Sequence, residues 1–61
     1  MLANKMKYYK HFEGGMIDSQ PLWNVDSLEE AREICKENNN KEIVFKKVDK
    51  IIDDNNNEYE L

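Results

Sequence analysis

The distribution of apolar residues along the chain predicts four short extended segments and one helix. Alternation with a period of two indicates a strand whose side chains point to opposite faces, whereas a period near 3.6 indicates a helix. The first alternating segment is 7–12, in which Tyr8 and Phe12 share one face and Tyr9 and His11 share the other. A strand is therefore expected at this end of the chain.

Two glycines follow this strand and predict a reversal of the chain. Gly14 and Gly15 lie between extended segments, which is typical of tight turns that require a positive φ. A second strand is then expected over 16–18. It has to end before Pro21 or lie at a sheet edge, because proline has no amide hydrogen to donate to a neighbouring strand.

The helix signal begins at Ser27. Residues 27–30 read Ser-Leu-Glu-Glu, a capping box in which the serine hydroxyl accepts from the amide of Glu30. Asn residues at 38–40 predict a left-handed C-cap. A helix of about eleven residues is marginal alone, so it has to pack on the sheet. The residues expected on its apolar stripe are Leu28, Ala31, Ile34 and Cys35.

The last third of the chain permits two interpretations over 43–52. Apolar residues there fit one helix face, but the β-branched and aromatic residues at 43–45 and the turn-forming run 53–57 favour a strand. Residues 58–61 alternate and need an antiparallel partner. A hairpin is preferred, with a bulge near Lys46 and Lys47 where the apolar face changes parity.

These elements predict an α+β fold, a small antiparallel sheet in the order β-β-α-β-β with one helix packed on one face. The chain of 61 residues has room for a single small domain, 1–61, in which residues 1–5 are expected to be frayed. Trp23, in the connection to the helix, could plug the end of the core or stand exposed as an interface anchor, and the core position is preferred.

Composition narrows the class of protein. Thirteen acids against nine bases give a net charge of −4, which argues against a nonspecific nucleic-acid binder. No apolar run approaches the ~20 residues that span a bilayer, so no membrane association is expected. A single cysteine, Cys35, rules out an intrachain disulfide and favours the cytoplasm. Lys, Asn and Ile, which share A/T-rich codons, make up 21 residues and suggest a low-GC bacterium or its phage.

Candidate chemistry is sparse. Cys35 and His11 could form a nucleophilic pair, but Cys35 lies on the predicted apolar stripe, where a thiol behaves as a small hydrophobe. One histidine and one cysteine cannot supply a structural zinc site. The run 53–58 resembles the start of a calcium loop, but its sixth position is Glu58 rather than glycine. We expect no catalytic residues, no metal and no cofactor, and therefore not an enzyme.

Two surfaces could bind a partner. Acidic residues recur at helical spacing and form a row that a basic patch on a partner protein would meet: Asp26, Glu29, Glu33 and Glu37. The second surface is a face of the sheet where lysines flank a tyrosine and a histidine, as in platforms that stack a base beside a phosphate: Lys7, Tyr9, His11, Lys46 and Lys50. Ordinary solvated charge is the competing interpretation of both.

The leading hypothesis is a non-catalytic protein–protein interaction module, an inhibitor from a phage or bacterium that binds a larger host protein through the acidic row. One helix covers only one face of the sheet, and the other is expected to carry too much apolar surface to remain in water, which favours a homodimer or docking on the larger partner. The alternative is a small-ligand (nucleotide) or oligonucleotide binder that uses the lysine and aromatic sheet face. A third hypothesis is pairing of the last strand with another chain's sheet.

Overall fold

The computed structural model describes residues 6–41 and 43–61, and the expectation that residues 1–5 are frayed lies outside them. Its elements are β1 (Tyr8–Phe12), α1 (Leu28–Asn39), β2 (Val48–Asp53) and β3 (Glu58–Glu60). The strands form an antiparallel sheet in the order β1-β2-β3. The predicted α+β class is confirmed, and the order differs by one strand.

The missing strand is the one expected over 16–18. A single bridge between His11 and Ile17 is all that forms there. The turn before it is as predicted, with φ of 99° at Gly14 and 98° at Gly15. The bridge consists of two backbone hydrogen bonds of 2.7 and 2.9 Å, and one further bond of 2.8 Å, from the amide of Leu22 to the carbonyl of Tyr8, attaches the segment 16–22 to β1. The segment therefore covers the outer edge of β1 without continuing as a regular strand.

A bulge lies in β2 at Asp49, later than the position predicted from Lys46 and Lys47. His11 pairs with Lys50 and Phe12 pairs with Val48, so Asp49 is the extra residue on β2. An extra residue changes the parity of a strand. Val48 and Ile51 consequently face the helix together although they are three residues apart.

The strand also begins later than expected. Residues 43–47 form no regular structure, and β2 starts only at Val48. The side-chain amide of Asn39 is the reason for the position of this start. Its Oδ1 accepts from the amide of Val48 and its Nδ2 donates to the carbonyl of Val48, both at 2.8 Å. The last residue of α1 thus takes the place of a neighbouring strand at the first residue of β2.

The core lies between α1 and one face of the sheet. Ala31 and Cys35 of the helix are fully buried against Ile51, and Val25 and Val48 complete the buried cluster. Half-buried residues from β1, β3, the helix start and the segments outside these elements pack around this cluster: Tyr8, Phe12, Leu22, Leu28, Tyr59 and Leu61. Ile34, expected on the apolar stripe, is partly exposed, so the buried stripe is narrower than predicted.

Both ends of α1 are defined by polar contacts. Ser27 has extended backbone angles, and its hydroxyl accepts from the amide of Glu30 at 3.2 Å, as the capping box predicts. The left-handed C-cap expected at 38–40 is wrong. Asn40 has φ of −94°, and its amide donates to the carbonyls of Lys36 and Glu37.

Asp53 closes the β2–β3 hairpin. Its buried carboxylate accepts from the amides of Asn55 and Asn57 at 2.8 and 2.9 Å, from the Asn57 side chain at 3.1 Å and from the Tyr59 hydroxyl at 2.7 Å. Asn56 takes a left-handed φ of 66°, which fits a three-residue hairpin loop. The run 53–58, which resembles the start of a calcium loop, is thus a hairpin turn. Its first carboxylate, that of Asp53, accepts hydrogen bonds from within the turn.

Candidate functional site

The acidic row lies largely where the sequence places it. Glu29, Glu33 and Glu37 are exposed on α1, one turn apart, and form no ion pair with any other described residue. Asp26 is also exposed but precedes the helix and the N-cap Ser27. The row in the helix is therefore three glutamates, which present negative charge to solvent along one side.

The uncovered face of the sheet carries Tyr9 and His11, as predicted, but it also carries the acids that neutralise its bases. His11 Nδ1 lies 2.6 Å from Asp49 Oδ1, and Lys50 Nζ lies 2.7 Å from Glu58 Oε1. The hydrogen bond from His11 holds the pKa of Asp49 below its usual value. In the same way, the hydrogen bond with Lys50 lowers the pKa of Glu58, and Glu58 raises that of Lys50.

Two of the five residues predicted for the lysine and aromatic site lie outside the strands. Lys7 precedes β1, and its backbone amide donates to Asp54 Oδ2 at 3.0 Å. Lys46 was expected beside Lys50 on one strand, but it lies in the irregular segment before β2. The structure therefore brings together only Tyr9, His11 and Lys50, and both His11 and Lys50 already have acidic neighbours.

The same face has little apolar surface for a second copy. Ile52 lies there, almost buried, beside Tyr9 and the half-exposed Ile17. The surrounding positions on β2 and β3 are charged and paired, as described above. The expectation of a large bare apolar face, on which the homodimer hypothesis depended, is not met by these residues.

The most exposed large apolar side chains lie instead in the segment 43–47, the irregular stretch between α1 and β2. Ile43 is 87% exposed and Phe45 is 97% exposed. Lysines adjoin them in sequence at Lys41, Lys46 and Lys47. A contiguous patch of exposed apolar groups on a small protein is typical of a surface that binds another molecule.

A groove of about 470 Å³ lies between this segment and the body of the protein. We call it the lysine groove. Its apolar walls include Phe12 from β1 and Phe45 from the segment, and its charged groups are Lys10, Lys41 and Lys46. None of the described residues that line it is acidic.

The lysines of the groove have no carboxylate partners among the described residues. Lys10, on the helix side of β1, and Lys41, after α1, form no ion pair there. Lys46 Nζ lies 3.0 Å from the sulfur of Met16, which is a weak acceptor. In a protein of net charge −4, the groove thus brings three lysines together, and none of them forms an ion pair with a described residue.

The shape of the groove depends on Asn38 and Asn39. Asn38 donates to the carbonyl of Lys46 at 3.3 Å, while Asn39 holds Val48. These contacts fix the end of the segment 43–47 against the helix C-terminus. Its middle, with Phe45, is left in solvent.

Two further residues show where sequence reasoning succeeded and where it failed. Cys35 is a free thiol, fully buried, and burial raises its pKa, although Lys10 opposes this effect. It is therefore protonated near neutral pH, as a structural thiol should be. Trp23 was expected in the core but is 68% exposed. The left-handed φ of 60° at Asn24 reverses the chain here, so that the buried residue is Val25.

Sequence reasoning missed the lysine groove because it assigned 43–47 to a strand. The available signal was the cluster of lysines around three consecutive apolar residues, which is unusual for a strand with one buried face. Nothing in the sequence indicated that Lys10, on β1, would join Lys41 and Lys46.

Comparisons with known proteins return nothing: no family model, no curated protein and no solved structure matches the chain. Within residues 6–41 and 43–61, His, Cys, Asp and Glu side chains form no group of three that could hold a metal ion. In the same part of the chain, no helix has the length and apolar character to cross a bilayer. Function therefore has to be argued from the surfaces alone.

Proposed function

We propose that this protein is a non-catalytic module that acts by occupying a surface of a larger protein. The observation that supports this best is the exposure of Ile43 and Phe45, two residues apart in one irregular segment. Aromatic side chains are typical central anchors of protein interfaces. Leaving two large apolar groups in water on so small a body is costly unless a partner covers them.

The acidic row gives the module a second feature suited to protein partners. Its three helix glutamates are exposed and could attract a basic patch during encounter, since rim charges act mainly on association rate. The proposal includes inhibition. The larger protein is a host protein in the cytoplasm of a low-GC bacterium, and binding of this protein inhibits it. The single thiol, free and buried, is compatible with a reducing compartment.

Affinity purification with matched variants tests the proposal. Tagged wild-type protein is incubated with extract of its source cell and compared with Phe45→Ser and with Ile17→Ser, a control that removes another exposed apolar group. Circular dichroism verifies that each variant is folded. We expect a captured protein that is lost with Phe45→Ser and retained with Ile17→Ser.

The acidic row is tested in the same experiment by reversing its charge at Glu29, Glu33 and Glu37. Slower capture with an unchanged final amount would assign the row to encounter, and complete loss would assign it to the interface itself. If purified wild-type protein lowers the activity of the captured protein and Phe45→Ser does not, the inhibitor form is supported. Capture that no variant alters, or no captured protein at all, would contradict the module.

Binding of a nucleotide or oligonucleotide stays a prediction, and the structure gives it less support than the sequence does. Lys50 and His11 contact acids, and Lys46 lies away from them. A thermal-shift screen with nucleotides checks it, because a ligand that binds the folded state raises Tm.

A further inference from the structure

We infer that the lysine groove is a docking site for a partner segment in which acidic residues alternate with large apolar ones. This inference deepens the proposed function and depends on it. It states the chemistry of the segment that binds, whereas the proposed function states only that the partner is a larger protein. Three features support it: the charge of the groove, its apolar walls and the exposed position of Phe45.

Charge is the first feature. Lys10, Lys41 and Lys46 line the groove, and even with Glu42 counted as a full negative charge the local balance is positive. The C-terminus of α1, where Asn38 lies, contributes only about half a negative charge. An occupant with one to three carboxylates would therefore complement the groove, whereas a basic occupant would not.

Apolar walls are the second feature. Phe12, Ile43, Val44 and Phe45 all face the groove, so a purely ionic occupant would leave most of the lining unused. A peptide that offers leucine or an aromatic residue between its acids covers both kinds of surface. Its apolar side chains would seat against the apolar lining, which includes Phe12 and Phe45.

Overall charge separates a peptide from a nucleic acid. A nucleic acid also carries negative charge and can stack on aromatic rings, but its charge extends along the whole molecule. This protein has net charge −4 and a row of exposed glutamates on the helix that ends at the groove. A long polyanion would meet those glutamates, whereas a short acidic and apolar segment fits within the groove.

Selection from a displayed library of random peptides on immobilised wild-type protein tests the inference. We expect enriched sequences in which Asp or Glu alternate with Leu, Ile, Phe or Trp. One enriched peptide is then synthesised with a fluorophore, and its affinity is measured by anisotropy. Binding should weaken between ~0.1 M and ~1 M salt, since the Debye length falls from about 10 Å to about 3 Å.

Variants locate the binding site. Phe45→Ser should lower the affinity for the enriched peptide by at least about tenfold, the loss expected for an aromatic anchor. Reversing charge at Lys41 and Lys46 should do the same. Lys47→Glu is the matched control, because Lys47 adjoins the groove in sequence without lining it. All four positions are exposed, so the fold is expected to survive, and circular dichroism checks this.

The outcomes separate this inference from the proposed function. Enrichment of basic peptides whose binding is lost on reversal of Glu29, Glu33 and Glu37 would overturn the groove but keep the interaction module. No enriched peptide and no protein captured from extract would overturn both. Tight binding of a labelled poly-dT oligonucleotide that Phe45→Ser abolishes would assign the groove to nucleic acid. Concentration-dependent dimers in sedimentation that Phe45→Ser abolishes would assign it to a second copy.

Discussion

The side chain of Asn39 should contribute more to stability than any other polar side chain at the end of the helix. It both accepts from and donates to the backbone of Val48, at 2.8 Å in each case, and it is half-buried. We predict that Asn39→Ala destabilises the fold by freeing the first residue of β2. The same change should loosen the segment 43–47 that forms one side of the lysine groove.

The expected magnitude follows from the two hydrogen bonds. Each contributes about 0.5–1.5 kcal/mol net, so together they contribute about 1–3 kcal/mol. Alanine is a better helix former than asparagine by up to about 0.7 kcal/mol, which offsets part of the loss. The net change is then about 0.3–2.3 kcal/mol, against a total stability of about 3–9 kcal/mol for a chain of this length.

Urea and thermal unfolding followed by circular dichroism measure this change. In a domain of this size Tm falls by about 4–8 °C for each kcal/mol lost. Asn40→Ala is the matched control: the same substitution one residue later, at an exposed side chain whose φ of −94° alanine tolerates. Hydrogen exchange should show that the amide of Val48 loses more protection than that of Ile51.

The reasoning would be refuted if Asn39→Ala were no less stable than Asn40→Ala. It would also be refuted if the amide of Val48 kept its protection. Either result would mean that packing of Val48 and Ile51 alone places the start of β2.

Three further predictions concern the core and the hairpin. Ile51→Ala, at a fully buried position, should cost about 2–5 kcal/mol, a large share of the total stability, and lower Tm measured by circular dichroism. Cys35, buried and with a raised pKa, should react with Ellman's reagent far more slowly in the folded protein than in denaturant, so equal labelling rates with and without denaturant would contradict its burial. The hydrogen bond from Tyr59 lowers the pKa of Asp53, so its stabilisation is present above the unfolded value near 3.8 and is lost as pH falls through the lower folded value. Asp53→Asn should therefore lower Tm at pH 7 and flatten the fall of Tm below pH ~4, while Asp54→Asn should not.

Local signals in the sequence predict the elements that are determined by a few neighbouring residues. The capping box placed the N-terminus of α1, and the glycine pair placed the first turn, because both are set by backbone hydrogen bonds and φ within a few residues. The buried thiol of Cys35 followed from helical spacing. The apolar run at 51–52 was assigned to a strand, and β2 covers it.

Features that depend on contacts distant in sequence were not predictable in the same way. The start of β2 is set by Asn39, nine residues earlier. In the sequence, an asparagine at the end of a helix predicts a C-cap equally well. The bulge at Asp49 is set by pairing with β1, from which His11 approaches its carboxylate. The sequence shows that the apolar positions change from one face of the strand to the other. It does not show at which residue between the two groups of apolar positions the bulge lies.

The position of the bulge also decides which surfaces remain for a partner. It turns both Val48 and Ile51 toward the helix and leaves Asp49 beside His11, so the uncovered face of the sheet pairs its own charges. The most exposed large apolar groups are then Ile43 and Phe45, in the segment between α1 and β2. A substitution that shifted the bulge toward Lys46 would draw Phe45 into the sheet and expose Val48. Such a variant should lose stability and groove binding together, whereas Phe45→Ser should lose binding alone.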